Sequence, residues 1–155
     1  IHLDLHSGLG RWSHCRLLMP VDEVRLRPWC AELFGVSLLD GAAAEKRVSY
    51  PVRATLIGWF NDVAGDCDYR GLVAEFGTYS PIRVLGALRA ENRVHHAVQR
   101  PRDQGQAVRD ELTECFCPGS RPWRTNVVRQ GLELIDRAIA GCLDDARQTS
   151  PIRLE

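Results

Sequence analysis

The stretch "LVAEFGTYSPIRV" at residues 72–84 decides the fold class, because it passes from a hydrophobic strand through a glycine turn into a helix. Leu72 to Phe76 is the buried part of the predicted strand, and Gly77 lets the chain turn closely after it. Ser80 suits the N-cap of the helix that follows, and Pro81 suits its first position. A strand that leads directly into a helix is typical of an α/β domain.

The rest of the chain predicts one further strand, over Ile1–Leu5, which ends at a glycine-bearing turn. Residues 11–20 read as irregular and residues 40–50 as a loop. The order of strands and helices favours an α/β domain with a mainly parallel sheet. Two strands are too few for a whole sheet, so we expect the N-terminal part of the domain to lie upstream of Ile1. Helices are predicted over residues 28–34, 52–63, 80–98, 104–115 and 121–143.

The composition excludes several functional classes. The chain has 155 residues, which suits one domain, and its 20 basic residues balance its 20 acidic residues. Zero net charge argues against a nucleic-acid partner, and no apolar run is long enough to span a membrane. The six cysteines lack zinc-site spacing. We therefore expect reduced, mostly structural thiols in a cytoplasmic protein.

The first strand carries three polar residues on one face. Because strand side chains alternate, His2, Asp4 and His6 point the same way, about 6–7 Å apart in successive steps. His6 falls at the carboxyl end of the strand, where open α/β sheets bind ligands. Asp4 lies two residues earlier on the same face, where a carboxylate could orient a neighbouring side chain. The alternative is that all three are partly buried polar residues on an edge strand.

The second strand contains one carboxylate in a hydrophobic run. Burial of Glu75 without a partner would be costly and would raise its pKa, which suits a general base or acid near neutral pH. The alternative is an ion pair between Glu75 and one of the arginines.

Three segments together resemble a known family. "DLHSGLG" at residues 4–10, "EFGTYSPIRVLGALRAENRVHH" at residues 75–96 and "CFCPGSRPWRTNVVRQGLELIDRAI" at residues 115–139 are similar to segments of the zinc carboxypeptidase and aspartoacylase clan, which includes succinylglutamate desuccinylase-like proteins. The likeness is greatest to a branch of uncharacterised carboxypeptidase-like proteins, and it covers nearly the whole chain. The resemblance implies a three-layer α/β/α fold with a mainly parallel sheet. Residues 1–155 would form the C-terminal portion of one catalytic domain.

The resemblance also implies roles for particular residues. His6 matches the third zinc ligand of the family, and Glu75 matches the general base that activates the zinc-bound water. Tyr50 and Thr78 would contact or shape the substrate site. The implied activity is hydrolysis of an amide bond in a peptide or an N-acyl amino acid.

The chain departs from the family at the first two zinc ligands. The family supplies them from an H-x-x-E pair ahead of the first strand, and none of the five histidines here is followed three residues later by an acidic residue. We therefore expect this chain alone to bind zinc weakly and to be inactive. The alternative to a hydrolase is a truncated or degenerate domain with a structural or partner-binding role. If the chain is a truncated piece, its exposed sheet edge and apolar surface predict self-association.

Overall fold

A computed structural model describes residues 1–19, 24–40, 55–97 and 102–149. Three strands form one sheet in the order β1-β3-β2: β1 is His2–Ser7, β2 is Cys15–Leu18 and β3 is Gly71–Phe76. β1 pairs with β3 in parallel, and β2 pairs with β3 antiparallel. The α/β class predicted from the sequence is confirmed, with a small mixed sheet in the described part of the chain.

Five α-helices lie in the described ranges, and most of them agree with the sequence pattern. Ser80 caps α3 as predicted, since its hydroxyl accepts the Arg83 N–H. The predicted start of α2 at residue 52 is wrong: Thr55 has an extended backbone and its hydroxyl caps the helix by accepting the Gly58 N–H. The helices are α1, Arg27–Phe34; α2, Leu56–Val63; α3, Pro81–His95; α4, Arg102–Phe116; and α5, Arg121–Thr149.

The prediction that residues 11–20 are irregular is also wrong, because β2 lies within them. Cys15 and Leu17 are fully buried and Arg16 points to the other face of the sheet. The alternating pattern spans only four residues beside a turn, and the strand depends on its pairing with β3, more than fifty residues away in sequence.

One face of the sheet carries the main core. Leu17, Leu72, Ala74 and Phe76 point to this face, where residues of α1 and α5 cover them. Leu134 of α5 lies in the same cluster and is almost fully buried. Burial of this apolar area is the main force that holds the sheet against the two helices.

A second, smaller core joins α3 to α4 beside the carboxyl ends of the strands. Val84, Ala87 and Cys115 form its buried centre. The helix pair is tied to the sheet where β1 ends, because the Ser7 hydroxyl donates to the Phe116 carbonyl at 2.6 Å. This contact fixes the end of β1 relative to the helices.

Gly77 ends β3 in the tight turn that the sequence predicted. A Cβ atom at this position would lie 2.0 Å from the carbonyl oxygen of Arg11, so only glycine fits. The Gly77 carbonyl accepts hydrogen bonds from the Ser13 N–H and from the Trp123 indole, at 2.8 and 2.9 Å. The loop after β1 and the start of α5 are therefore both fixed to the end of β3.

All six cysteines are free thiols, three of them buried. Burial raises the pKa of Cys15 to about 12 and that of Cys30 to about 11, so both thiols stay protonated and unreactive. Within the described ranges, no helix combines the length and the apolar character needed to cross a bilayer.

Candidate functional site

The carboxyl ends of β1 and β3 bring together the two residues that carry the functional hypothesis. The parallel register pairs His6 with Glu75. Paired residues on adjacent strands, about 4.8 Å apart, point to the same face. This face is opposite the main core and also carries Asp4. An imidazole and a carboxylate thus stand side by side at the edge of the sheet where α/β proteins bind ligands.

Asp4, two residues before His6 on the same face of β1, contacts the His6 ring. Its Oδ2 lies 2.9 Å from Nε2 of His6, and the His6 side chain is half exposed. A carboxylate that accepts from Nε2–H fixes the tautomer in which Nδ1 carries the lone pair. The arrangement therefore presents Nδ1 of His6 as the nitrogen able to bind a metal ion or accept a proton.

Glu75 is buried, with 5% of its surface exposed. Its Oε1 accepts the backbone N–H of Leu9 at 2.9 Å. Burial raises the pKa of the Glu75 carboxyl, while the Leu9 N–H and nearby His6 oppose that shift. A carboxylate with a raised pKa is suited to take up and release a proton near neutral pH.

The alternative that Glu75 pairs with an arginine is not supported within the described residues. Arg16 lies opposite Glu75 in the antiparallel β2–β3 pair, but its Nη1 donates to the Ser37 carbonyl at 2.6 Å. No ion pair joins Glu75 to an arginine among the residues that the structure describes. The Leu9 amide, which the sequence reasoning missed, is the hydrogen-bond partner of the carboxylate.

Thr78 links the two strand ends. It is 3% exposed, and its hydroxyl donates to the Gly8 carbonyl at 3.2 Å. A side chain at Gly8 would lie 3.9 Å from Oε1 of Glu75, so this link holds the turn after β1 close to the carboxylate. The substrate role suggested for Thr78 stays a prediction, and Tyr50 lies outside the described residues.

The third polar residue of β1, His2, contacts neighbouring aromatic side chains. Nδ1 of His2 lies 2.6 Å from the Tyr69 hydroxyl, and its ring packs edge-on against Phe60. These contacts lie at the opposite end of the strand from His6. His2 therefore takes no part in the pair formed by His6 and Glu75.

An aromatic cluster follows the end of β3, and the sequence reasoning did not identify it. The Tyr79 ring contacts the tilted ring of Trp12, at 4.8 Å between centroids, and the guanidinium of Arg83 lies over the Tyr79 ring at 3.7 Å from its centroid. The Tyr79 hydroxyl donates to Glu114 at 2.5 Å, and Arg83 forms two hydrogen bonds with Glu111. Trp12 is 37% exposed, so the cluster offers an aromatic surface three residues beyond Leu9.

Among the described residues, His6 is the imidazole available to a metal site at the carboxyl ends of β1 and β3. A catalytic zinc ion requires three protein ligands. No group of three or more histidine, cysteine, aspartate or glutamate side chains able to hold a metal forms among the residues that are described. His6 and Glu75 therefore do not make a complete zinc site by themselves.

Comparison with known proteins gives one match. The model of a family described as a protein of unknown function, DUF2817, matches residues 1–130. No curated protein and no solved structure matches the chain.

Proposed function

The chain belongs to the DUF2817 family of proteins of unknown function, and we propose that it supplies one metal ligand and the general base of a zinc-dependent amide hydrolase. The single observation that carries the proposal is the pairing of His6 with Glu75 across β1 and β3. The activity is of the carboxypeptidase or deacylase type, and the substrates are peptides or N-acyl amino acids. Residues 1–155 form the C-terminal portion of a three-layer α/β/α carboxypeptidase-like domain.

Each residue has a task in the proposed reaction. Asp4 orients the His6 ring so that Nδ1 faces away from it. The bound zinc ion would lower the pKa of a water molecule and polarise the amide carbonyl. Glu75 accepts the proton of the attacking water at its carboxylate and then returns it to the nitrogen of the departing amine. The Leu9 N–H holds the Glu75 carboxylate in place during this exchange.

His6 alone cannot hold zinc tightly, so the two remaining ligands must come from outside the described residues. The H-x-x-E pair that the family resemblance implies would meet this need. A reading frame that continues upstream of Ile1 and contains H-x-x-E supports the hydrolase. A start codon close to Ile1 would remove its metal site.

The ligand role of His6 is tested by titrating Zn²⁺ into the full chain and following the histidine ring resonances by NMR. We expect the His6 ring to respond first, with millimolar affinity, because one imidazole binds zinc weakly. His6→Ala should abolish that response. The matched control is His95→Ala, which removes a half-exposed histidine from the end of α3. A response confined to His95 and His96, or one that His6→Ala leaves unchanged, would contradict the assignment, whereas a sub-micromolar site lost in His6→Ala would contradict only the expectation of weak binding.

The base role of Glu75 is tested in the protein that carries H-x-x-E. Glu75→Gln should lower kcat for hydrolysis of N-acyl amino acids or C-terminal peptide bonds by about 10²- to 10⁴-fold, as expected for loss of a general base. Glu91→Gln on α3 is the control and should leave kcat unchanged. Equal activity in all three proteins would exclude Glu75 as the base.

A second candidate function is a non-catalytic domain with a structural or partner-binding role. The observation that favours it is the absence of any complete set of metal-binding side chains in the described ranges. Under this alternative, the buried Glu75 stabilises the turn after β1 through Leu9, and neither His6→Ala nor Glu75→Gln changes a catalytic rate.

A further inference from the structure

The turn that joins β1 to β2 contains a strained residue. Ser13 has a φ of 61°, and it is the one residue other than glycine with a positive φ among those that the structure describes. Gly8 and Gly10, earlier in the same turn, adopt positive φ freely because they have no Cβ atom. A serine is seldom found in this left-handed region, and such a conformation persists where surrounding contacts hold it. Ser13 is 8% exposed, so those contacts come from the protein rather than from water.

Two amide side chains of α5 supply the contacts. The Ser13 carbonyl accepts one hydrogen bond from Nδ2 of Asn126 and one from Nε2 of Gln130, both at 2.8 Å. Nδ2 of Asn126 also lies 2.9 Å from the Ser13 hydroxyl oxygen. Because a carbonyl oxygen has two lone pairs, these two donors satisfy it completely. Asn126 and Gln130 are four residues apart and therefore lie on one side of the helix.

Both amides are themselves held in orientation. Oδ1 of Asn126 accepts from Nη2 of Arg129 at 2.6 Å, and Oε1 of Gln130 accepts the Cys15 N–H at 3.1 Å. Because each amide oxygen faces a donor, the NH₂ group of each amide is the end that faces the Ser13 carbonyl. The helix thus presents two oriented donors to one backbone oxygen of the turn.

The stretch of the turn that carries Leu9 is anchored on both sides. On one side, the Gly8 carbonyl accepts the Thr78 hydroxyl at 3.2 Å. On the other side, the Ser13 N–H donates to the Gly77 carbonyl at 2.8 Å. Since Leu9 lies between these anchors, the direction of its N–H depends on the backbone conformation at Ser13 as well as at Gly8.

We propose that Asn126 and Gln130 are positioning residues for Glu75. They hold Ser13 in its left-handed conformation, and the turn fixed in this way directs the Leu9 N–H at the Glu75 carboxylate. The catalytic meaning of this inference rests on the proposed role of Glu75 as general base. The contact between Leu9 and Glu75 can be measured without any activity, so the two proposals fail separately.

NMR of the full chain tests the inference through the Leu9 amide proton. We expect Asn126→Ala to move this resonance upfield, toward that of an amide bonded to water, because the turn loses a contact that offsets the strain at Ser13. Ser13→Gly should restore the resonance in the Asn126→Ala background, since glycine adopts the same φ without help from the helix. The matched control is Asn92→Ala, which removes an amide near the C-terminal end of α3 and should leave the Leu9 resonance unchanged.

Three outcomes would overturn the inference. An unchanged Leu9 resonance in a folded Asn126→Ala variant is the first, because an amide that only stabilises the fold would lower stability without altering this contact. A shift that Ser13→Gly does not reverse is the second, since Asn126 would then not act through the strain at residue 13. If Asn126→Ala does not fold, the double variant decides: a folded protein with the wild-type Leu9 resonance supports the inference, and an unfolded one is the third contrary outcome.

Kinetics of the protein that carries H-x-x-E connect the contact to the reaction. Asn126→Ala should lower kcat by up to about 10²-fold with little change in KM, as expected when a catalytic group is displaced, and Ser13→Gly should recover the rate. An active wild type whose kcat is unaltered by Asn126→Ala would overturn the positioning role alone. An inactive wild type in which Asn126→Ala still shifts the Leu9 resonance would remove the proposed hydrolase and leave the positioning of Glu75 supported.

Discussion

His6 and Glu75 occupy the same register position of the parallel β1–β3 pair, so their side chains leave the same face of the sheet. Their environments differ, because the Glu75 residue is 5% exposed whereas the His6 side chain is half exposed. The buried group has the raised pKa, and the open group has a ring nitrogen directed away from Asp4. This division of environments supports different chemical roles for the two residues.

Burial of Glu75 predicts a pH-dependent difference between the wild type and Glu75→Gln. Because the folded-state pKa of Glu75 is raised, its contribution to stability is fully present below the usual glutamate pKa of about 4.3 and is lost as pH rises through the raised value. Glutamine keeps an oxygen for the Leu9 N–H but does not ionise. We expect Glu75→Gln to gain stability relative to the wild type as the pH rises from about 4.3 through the raised pKa of Glu75. Urea midpoints measured across this range check the prediction.

The control for this experiment is Glu114→Gln, for which the sign is opposite. The Tyr79 hydroxyl and the Gly119 N–H hold the pKa of Glu114 below its usual value. The contribution of Glu114 is therefore present above the usual glutamate pKa and is lost as pH falls through the lowered value. The Glu114→Gln difference should therefore stay flat above the usual glutamate pKa, and an equal rise for both variants in that range would show that the burial of Glu75 is not the cause.

Asp4→Asn should change the tautomer of His6. The Asp4 carboxylate can only accept from Nε2 of a neutral His6, whereas an amide can donate or accept. We expect ¹⁵N NMR of the neutral ring to show mainly the Nε2–H form in the wild type and a mixture in Asp4→Asn. Asp110→Asn, at an exposed position of α4, should leave the His6 ring shifts unchanged. An unchanged tautomer in Asp4→Asn would mean that the contact with Asp4 does not orient the ring.

The sequence predicted the central elements of this site because their signals are local. β3 is a continuous hydrophobic run, Gly77 stops it, and Ser80 and Pro81 start α3 within a few residues. The shared face of Asp4 and His6 followed from strand alternation alone. No long-range information was needed for these features.

The features that the sequence did not predict depend on contacts between distant residues. β2 is four residues long and is stabilised by pairing with β3. The Leu9 N–H reaches Glu75 only because the turn after β1 folds back onto β3. The ring contact between Trp12 and Tyr79 joins residues 67 positions apart. Such partners cannot be identified from local patterns, since each residue is ordinary in its own segment.

Trp123→Phe should destabilise the fold through one lost hydrogen bond. The buried indole donates to the Gly77 carbonyl at 2.9 Å, and phenylalanine keeps part of the packing but has no donor. Because the Ser13 N–H still bonds to the Gly77 carbonyl, we expect the lost hydrogen bond to lower the free energy of unfolding by about 0.5–1.5 kcal/mol, measured by urea denaturation. Trp59→Phe is the control, since Trp59 is 55% exposed, and its effect should stay within about 0.5 kcal/mol. Equal effects would show that the indole contact with Gly77 is not important for stability.

Gly77→Ala should destabilise the protein more than Trp123→Phe, because the added methyl group would collide with the backbone. Its Cβ would lie 2.0 Å from the Arg11 carbonyl oxygen, and a backbone atom held by neighbouring turns cannot move aside cheaply. We expect a loss of at least about 2–3 kcal/mol, the upper range for overpacking, together with displacement of the turn that presents Leu9 to Glu75.

The same substitution at Gly86 has the opposite expected sign. Gly86 lies within α3, and a Cβ there would meet no heavy atom within 4 Å. Alanine restricts the unfolded chain and favours the helix, so Gly86→Ala should stabilise the protein by about 0.5–1 kcal/mol. Urea denaturation of the two variants therefore separates the close approach at Gly77 from any general effect of replacing glycine. If Gly77→Ala were as stable as Gly86→Ala, the end of β3 would not contact the Arg11 backbone, and the positioning of Glu75 by the turn after β1 would have to be abandoned.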